Sequence, residues 1–385
     1  MDVLIYEALR GPRGKARPDG GLASATPQGL VADLASGIAD RTGAAPDPCA
    51  LVLGAVGQVG AQGGNIAQVA KLAAGLPART ATISVNNFCV SGLTAVGQAA
   101  AMVQAGTARS ALAGGVEMMS RVPFMGDRAE YYTDDSFAPP QRYIPVALAA
   151  DRLAARRDVT RAELDAAALT SGQRAVAAEG TALTASRLAL NGLEREECLR
   201  PVTAEGLAGL EPVFGPLAEQ YRDALGDEEF APIHTLAHAP ATSDGAALAL
   251  MGAPGAVEAA PRARILAWAE TGGDIGASLT AGVDAMDQVL ERAGLRLQDM
   301  DRIEFMEAFA VTQALFLRDR APDPDRVNVG GGHLAKGHPL GASGAILLSS
   351  LLDALDACQG RLGLVVATGA QGAGSAMIVE RLNRG

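Results

Sequence analysis

Two segments of the chain repeat the same order of features. The first, from Val85, reads as a strand end, the small-residue turn NNFCVSG, an Ala-rich helix to about Gln104 and a strand ending in the glycine pair 114–115. The second, from Val327, runs through VNVGGGHLAKGHPLGASG, a helix to about Ala357 and the apolar run LGLVVATGAQGAG. This repetition predicts two halves of one architecture, although Ala/Gly-rich segments can also resemble each other by chance.

The pattern between and around these segments is typical of an α/β fold. Apolar runs bounded by Gly and small residues alternate with Ala-rich helical stretches, as expected for buried strands. The predicted strands lie at 50–56, 81–87, 110–118, 263–270 and 361–370. Residues from about 120 to 232 are more charged and less strand-like. We predict that they form an inserted loop domain that covers a site built on the rigid scaffold.

The length of 385 residues is sufficient for two domains of ordinary size. We predict an N-terminal half at 1–258, which includes the loop domain, and a C-terminal half at 259–385. The net charge of −11 disfavours nucleic acid or an anionic membrane as the main partner, because such contacts need clustered Lys and Arg. No uncharged apolar stretch approaches the roughly 20 residues of a membrane-spanning helix.

The N-terminal sequence limits the expected cellular location, and the spacing of the cysteines limits the kinds of site that they could form. Asp2 and Glu7 lie beside only a short apolar patch, which is not the basic-then-apolar order of a secretory signal, so we expect a cytoplasmic location. The four cysteines are scattered without a CxxC pair, which disfavours zinc and a disulfide framework. His234 and His238 stand in a loop-like stretch without a paired ligand, and we expect no metal.

Cys89 and His338 are the candidate catalytic residues. Cys89 precedes a predicted helix, where unsatisfied N–H groups and the helix dipole favour a thiolate. His338, in GHPLGASG, holds the matching place before the second helix and could take the thiol proton. Ser91 and Ser343 each begin a Ser-Gly pair just inside those helices, which would bring both helix N-termini to one site. The alternatives are a buried structural cysteine and a histidine that satisfies a tight turn.

A glycine-rich turn near the C-terminus is a candidate oxyanion hole. Gly369, Gly372 and Gly374 in GAQGAG permit backbone conformations that point N–H groups inward. The strand-like run SAMIVERL follows this turn, whereas a dinucleotide-binding loop is followed by a helix. The sequence therefore does not predict a nucleotide site here.

Together these residues resemble the thiolases, and the resemblance spans most of the chain. NNFCVSG is similar to the family's nucleophile motif, and GGVEMMSRVPF, TSDGAALALM, MEAFAVTQALF, GHPLGASGA and GAQGAGSAMIVE match later blocks in order. The resemblance implies a thiolase fold of two similar βαβαβαββ halves in a five-layer α-β-α-β-α arrangement with an inserted loop domain. It also implies a homodimer or homotetramer.

The resemblance further implies a two-step acyl transfer. Cys89 would attack an acyl thioester after His338 has taken its proton, and a carbanion from a second thioester would then attack the acyl-enzyme. Backbone N–H groups of Cys89 and Ala370 would hold the oxyanions, with Gly372 and Gly374 supporting the turn. No cofactor is expected, because coenzyme A thioesters, or acyl-carrier-protein thioesters, are themselves the substrates. Phe309, Pro240 and Met125 are the expected substrate contacts.

Several family positions are substituted. The second catalytic cysteine, which removes the α-proton of the incoming thioester, is replaced by Thr368, and the Asn of the NEAFA block by Met306. Threonine is too weak a base, and methionine offers no useful donor. Val146 and Ala147 stand where the loop domain usually has Met-Gly, and Pro240 replaces a serine expected near the pantetheine.

These substitutions leave three functions open. The first is an ordinary acyl-CoA C-acyltransferase, in which His338 or a water replaces the missing cysteine. The second is a specialised enzyme that uses a malonyl-type nucleophile or acylates an O, N or activated C acceptor. The third is a non-catalytic partner subunit, which the retention of Cys89 and His338 disfavours.

Overall fold

The computed structural model describes residues 1–383, so the predicted boundary at residue 385 lies outside the described residues. Within them, the strands are β1 (Val3–Arg10), β2 (Gly14–Lys15), β3 (Ala50–Gly54), β4 (Ala81–Val85), β5 (Ser110–Met118), β6 (Ser243–Gly252), β7 (Ala263–Gly272), β8 (Arg302–Phe305), β9 (Leu362–Thr368) and β10 (Ala373–Arg381). The α-helices are α1 (Pro27–Thr42), α2 (Ile66–Ala73), α3 (Ser91–Gln104), α4 (Val146–Arg156), α5 (Arg161–Ala178), α6 (Ala204–Ala208), α7 (Gly215–Gln220), α8 (Arg222–Leu225), α9 (Ala281–Ala293), α10 (Ala310–Arg320), α11 (His333–Lys336) and α12 (Ser343–Cys358).

The two halves have the same strand order. The sheet runs β4-β3-β5-β6-β1-β7-β10-β9-β8, and β2 pairs with β6 beside this path. Counted from the edge of the sheet inward, the first half is β4-β3-β5-β6-β1 and the second half is β8-β9-β10-β7. The strands β8, β9, β10 and β7 thus take the places of β3, β5, β6 and β1. Val327 forms an isolated parallel bridge with Ile303 of β8, in the place that β4 takes beside β3. The repeat predicted from the sequence is confirmed, and the halves join where β1 runs antiparallel to β7.

Alternating side chains of each strand divide the interior into layers. In β3, Val52 belongs to the central core, and Leu51 to an outer core that includes α1 and α2. In β9, Val365 belongs to the same central core, and Leu364 to a second outer core with α9. Residues of α3 and α12 fill the central core between the two parts of the sheet. The predicted five-layer α-β-α-β-α arrangement is confirmed.

The central helices α3 and α12 approach each other through a pair of glycines. A Cβ on Gly92 would lie 2.8 Å from the carbonyl oxygen of Gly341, and a Cβ on Gly344 would lie 2.5 Å from a backbone nitrogen of α3. Ser91 and Ser343 are the first residues of the two helices, as predicted. The absence of side chains at these glycines lets the two helix N-termini meet at one place.

The apolar character of α12 is explained by this packing. Among the described residues, the helical stretch Leu340–Cys358 is long and apolar enough to cross a membrane. However, 83% of its most apolar window is buried inside the fold. A helix enclosed between two parts of a sheet is expected to be apolar on nearly all of its surface.

The helices α4 to α8 lie between β5 and β6, within the predicted loop domain. A short break separates α4 from α5. The chain breaks at Asp158, which has a left-handed φ of 50°. Thr160 then caps α5 through a reciprocal capping box with Glu163.

Candidate active site

Cys89 lies in the turn between β4 and α3. Phe88, just before it, has a left-handed φ of 48°. The hydroxyl of Ser91 donates a hydrogen bond of 2.6 Å to the carbonyl of Phe88 and accepts one of 2.8 Å from the N–H of Asn87. These contacts hold the turn, and Cys89, a buried residue with 8% of its surface exposed, lines a cavity.

His338 lies in the turn before α12 and lines the same cavity. Its backbone N–H donates to the carbonyl of Ala241 at 2.9 Å, and its Nδ1 lies 2.7 Å from the hydroxyl oxygen of Ser343. The other ring nitrogen, Nε2, is buried and has no hydrogen-bond partner within residues 1–383. The structure therefore brings the two predicted catalytic side chains to one cavity and leaves one imidazole nitrogen available.

The thiol of Cys89 is difficult to ionise in the free protein. Burial raises its pKa to about 11, a hydrogen bond from the backbone N–H of Ala370 acts in the opposite direction, and the charge of Glu117 raises it further. The sequence favoured a thiolate at a helix N-terminus, and the structure differs. The helix begins only at Ser91, after Cys89, and the cost of desolvation outweighs the neighbouring N–H groups.

The imidazole of His338 is held in its neutral form. Burial lowers its pKa to about 3, and the positive charge of Arg13 lowers it as well. Arg13 approaches from the N-terminal half and donates a hydrogen bond of 3.2 Å to the carbonyl of Gly337, the residue before the histidine. Near pH 7 the site therefore holds a thiol and a neutral imidazole.

Glu117 connects two segments of the site by hydrogen bonds, and it was not among the residues predicted from the sequence. The carboxylate is buried and accepts hydrogen bonds from the N–H groups of Val56 (2.8 Å), Gly57 (3.0 Å) and Gly341 (3.0 Å) and from Nε2 of Gln62 (2.6 Å). Burial raises its pKa. It joins the loop after β3 to the turn before α12. The available signal was an acidic residue at the end of the apolar strand SALAGGVEM, which is unusual for a buried strand.

The cavity has a volume of about 300 Å³, and most of its wall is apolar. The predicted substrate contacts Phe309, Pro240 and Met125 all line it, as does Ala370. Its remaining apolar wall is formed by Val56, Phe88, Met119, Val122, Pro123, Phe124, Pro145, Val146, Ala147, Phe214, Leu217, Ala239, Leu279, Ala308 and Leu340. The loop domain and both halves of the fold contribute to this wall.

The two predicted supporting glycines act through close packing. The carbonyl of Gly372, which has a φ of 76°, accepts a hydrogen bond of 2.7 Å from the N–H of Gly273. A Cβ on Gly374 would lie 2.3 Å from the backbone of Ala281, the first residue of α9. Both glycines therefore hold the turn that carries Ala370 against neighbouring backbone.

The two substituted positions lie in the protein interior. Met306 is fully buried in the central core, and its N–H donates to the carbonyl of Val366 at 2.8 Å. Thr368 ends β9 and is 1% exposed, and its hydroxyl has no partner in the described part of the chain. Neither side chain is a base that could act on a thioester.

His234 and His238, to which the sequence assigned no metal role, each pair with a carboxylate, and the His234 pair is fully buried. Nδ1 of His234 lies 2.6 Å from Asp151, and Nε2 of His238 lies 2.7 Å from Asp165. These pairs attach the segment that carries Pro240 to α4 and α5. The partners are more than seventy residues apart in sequence, so no local pattern indicates them. Within residues 1–383, no group of three or more His, Cys, Asp or Glu side chains could hold a metal ion.

Comparison with known proteins places the chain in a family. The family models "Thiolase, N-terminal domain" and "Thiolase, C-terminal domain" match residues 3–217 and 259–381. A β-ketoadipyl-CoA thiolase from Pseudomonas putida is 33% identical over 99% of this chain and 100% of that protein. A steroid 3-ketoacyl-CoA thiolase from Mycobacterium tuberculosis is 32% identical over 99% of this chain and 94% of that protein. The structure of an acetyl-CoA acetyltransferase from Bacillus anthracis matches with a TM-score of 0.85 and 26% identity over 99% of both chains. The chain belongs to the thiolase family and is a thiolase-type acyltransferase.

Proposed function

We propose that the chain carries its acyl group on Cys89 and exchanges it between coenzyme A thioesters. The observation that carries this proposal is the shared cavity of the Cys89 thiol and the available Nε2 of His338. The names of the relatives, which refer to β-ketoadipyl-CoA, 3-ketoacyl-CoA and acetyl-CoA, support coenzyme A as the carrier.

In the first step, Nε2 of His338 takes the proton of the Cys89 thiol as the sulfur attacks the thioester carbonyl. A hydrogen bond from Nδ1–H to Ser343 keeps the lone pair on Nε2 and stabilises the imidazolium that forms. The tetrahedral intermediate collapses, its bond to the coenzyme A sulfur breaks, and His338 returns the proton to the departing thiolate. The products are acyl-Cys89 and free coenzyme A.

Charge on the thioester oxygen needs preorganised donors in a dry site. The N–H of Ala370 already points to the sulfur of Cys89, and the N–H of Cys89 lies in the same turn region. A Cβ on Gly369 would lie 3.4 Å from the nitrogen of Cys89, so the two turns are in contact. We propose these two N–H groups as the oxyanion hole of the acyl-enzyme.

The second step needs a base for the α-proton of the incoming thioester. Thr368 stands at the position of the family's second cysteine and does not supply one. In an ordinary thiolase reaction, His338 or a bound water would take that proton. A specialised reaction is the second candidate, because an acceptor that forms its nucleophile by decarboxylation, or that is nucleophilic already, needs no base at this position.

Intact-protein mass spectrometry tests the first step. Wild type and Cys89→Ala are incubated with acetyl-, longer acyl- and malonyl-CoA. An acyl mass on wild type alone supports Cys89 as the nucleophile. No adduct from any donor contradicts acyl transfer from coenzyme A and favours an acyl-carrier-protein thioester or a non-catalytic subunit.

Cleavage of acetoacetyl-CoA by free coenzyme A separates the two candidates. Steady cleavage supports the ordinary reaction. Inactivity in this assay, together with an acyl-Cys89 adduct, supports the specialised one. His338→Gln serves in both assays as a variant that keeps the hydrogen-bonding shape of the side chain but lacks its basicity.

We also propose that two copies of the chain associate through the edge strand β4. In the described part of the chain β4 pairs only with β3, and its Ile83 is 40% exposed. An exposed apolar strand edge readily pairs with another chain. Sedimentation velocity should give a dimer or tetramer for wild type and a monomer for Ile83→Lys, whereas a monomeric wild type contradicts the proposal.

A further inference from the structure

We propose that this site accepts uncharged, apolar acyl groups and rejects acyl groups that end in a carboxylate. This inference rests on the proposed function, because it concerns the acyl group that Cys89 receives. It is drawn from the charges and hydrogen bonds of the cavity wall.

Across residues 1–383, the cavity wall contains no Lys or Arg that could form an ion pair with a carboxylate. His338 does line the cavity, but its pKa of about 3 leaves the imidazole uncharged near pH 7. A carboxylate taken from water into an apolar cavity without a cationic partner loses its hydration without compensation. The acyl group must therefore be neutral to be bound well.

Two acidic side chains stand on the wall and offer no positive charge to a carboxylate. Glu117 is buried beside Cys89 and is held by four hydrogen-bond donors. Asp127, on the loop-domain side, is half-buried and accepts a hydrogen bond of 3.0 Å from the hydroxyl of Tyr132. An acyl chain that ends in a carboxylate would therefore meet apolar surface and acidic side chains as it leaves the sulfur of Cys89, and no cationic side chain.

The polar aromatic groups of the wall are already engaged. The hydroxyl of Tyr132 donates to Asp127, and that of Tyr143 donates to the sulfur of Met125 at 3.5 Å. Burial, with the hydrogen bond to Asp127, raises the pKa of Tyr132 to about 12, and burial raises that of Tyr143, so both phenols stay neutral. Their rings offer apolar surface to an alkyl or aromatic acyl group.

The inference separates this chain from one of its relatives. The Pseudomonas putida protein is named for β-ketoadipyl-CoA, whose acyl group ends in a second carboxyl group. We therefore expect the two proteins to differ in substrate despite 33% identity.

A pair of donors of equal length tests the proposal. The rate of Cys89 acylation is measured by quenched intact-mass analysis with hexanoyl-CoA and adipyl-CoA, which differ by a terminal carboxylate, and with acetyl-CoA as the reference donor. We expect hexanoyl-CoA to acylate at least about 100-fold faster than adipyl-CoA. Equal rates with hexanoyl-CoA and adipyl-CoA would overturn the inference and leave the proposed function intact. Acylation by acetyl-CoA without acylation by hexanoyl-CoA would have the same two consequences. No adduct from any of the three would overturn the proposed function itself.

Variants identify the source of the selectivity. Phe124→Arg places a cation on the cavity wall at a side chain that is 42% exposed, so the fold should tolerate it. It should speed acylation by adipyl-CoA about tenfold relative to hexanoyl-CoA, and Asp127→Asn should act in the same direction. Glu258→Gln is the control, because it removes one negative charge at an exposed residue beyond the C-terminal end of β6, whereas the cavity lies at the N-terminal end of that strand. It should leave the ratio of the two rates as in wild type. An unchanged ratio in both cavity variants would overturn the electrostatic basis of the proposal.

Discussion

The hydroxyl oxygen of Ser343 lies 2.7 Å from Nδ1 of His338, on the side of the ring opposite the unpartnered Nε2. Ser343 is also the first residue of α12, so the start of this helix sets the orientation of the imidazole. The equivalent serine of the first half, Ser91, instead holds the turn that carries Cys89. The repeated Ser-Gly motif therefore positions His338 in one half and the turn of Cys89 in the other.

Ser343→Ala should lower the rate of Cys89 acylation about fivefold, because the loss of one hydrogen bond of about 1 kcal/mol leaves the imidazole less well oriented. Quenched intact-mass analysis at saturating acetyl-CoA measures this rate. Ser349→Ala is the matched control, since this buried serine of α12 bonds the carbonyl of Ala8 at 2.9 Å, away from the histidine. An equal loss in both variants would point to a general effect on α12.

Alkylation of Cys89 by iodoacetamide should be slow at pH 7 and should keep rising above pH 9. The thiolate is the reactive form. With a pKa of about 11, about one thiol in 10⁴ is ionised at pH 7. Peptide mapping follows Cys89 separately, with the exposed Cys358 reporting on the reagent in the same digest. A rate that levels off below pH 8 would mean that the helix N-terminus lowers the pKa of the Cys89 thiol by more than burial raises it.

The carboxylate of Glu196 should stabilise the folded protein at neutral pH, and this stabilisation should be lost in acid. Burial alone would raise its pKa, but the charge and hydrogen bonds of Arg13 lower it to about 2. Because the folded pKa lies below the unfolded value, the stabilisation is complete above about pH 4.5 and disappears as the pH falls towards 2. The total is about 3 kcal/mol.

Urea unfolding of wild type and Glu196→Gln at pH 6.5 and pH 3 measures this effect. The difference in the free energy of unfolding between the two proteins should shrink by about 2 kcal/mol at the lower pH. A difference that does not change with pH would show that the carboxylate is not specifically stabilised in the folded state.

Gly92→Ala and Gly344→Ala should each destabilise the protein by about 1–3 kcal/mol, although alanine is the better helix former by about 1 kcal/mol. The new Cβ atom on Gly92 would overlap the backbone of the turn before α12 at 2.8 Å, and that on Gly344 would overlap the backbone of α3 at 2.5 Å. Acylation should also slow, because the ends of these helices hold Cys89 and His338. Gln98→Ala, at an exposed position of α3, is the control and should change stability by less than about 0.5 kcal/mol. Wild-type stability of both glycine variants would contradict the close crossing.

Thr368→Cys should raise the rate of acetoacetyl-CoA formation from acetyl-CoA, because it restores a side chain that can act as an acid and base. Thr368→Val keeps the shape of threonine without such a group and should leave that rate as in wild type. Spectrophotometric assay of both variants beside wild type provides the measurement. An equal rate in all three proteins would mean that the missing cysteine does not limit condensation.

The sequence was sufficient for the features that depend on local patterns. The repeat around NNFCVSG and GHPLGASG predicted the two halves, and the Ser-Gly pairs predicted the first residues of α3 and α12. The resemblance to the thiolases implied the five layers, and the apolar runs predicted the buried strands within them. Cys89 and His338 were identifiable because each lies in a turn before a helix within a recognisable motif.

Only the tertiary structure decided the electrostatics of the site and the composition of its wall. The carboxylate of Glu117 meets Gly341 from 224 residues away, and Arg13 reaches the residue before His338 from the other half of the chain. The pKa of Cys89 depends on how completely the surrounding fold excludes water, which no neighbouring residue in the sequence determines. Local sequence specifies backbone conformation and the periodicity of burial, whereas desolvation and charge depend on groups that are distant in sequence and become neighbours only when the chain folds.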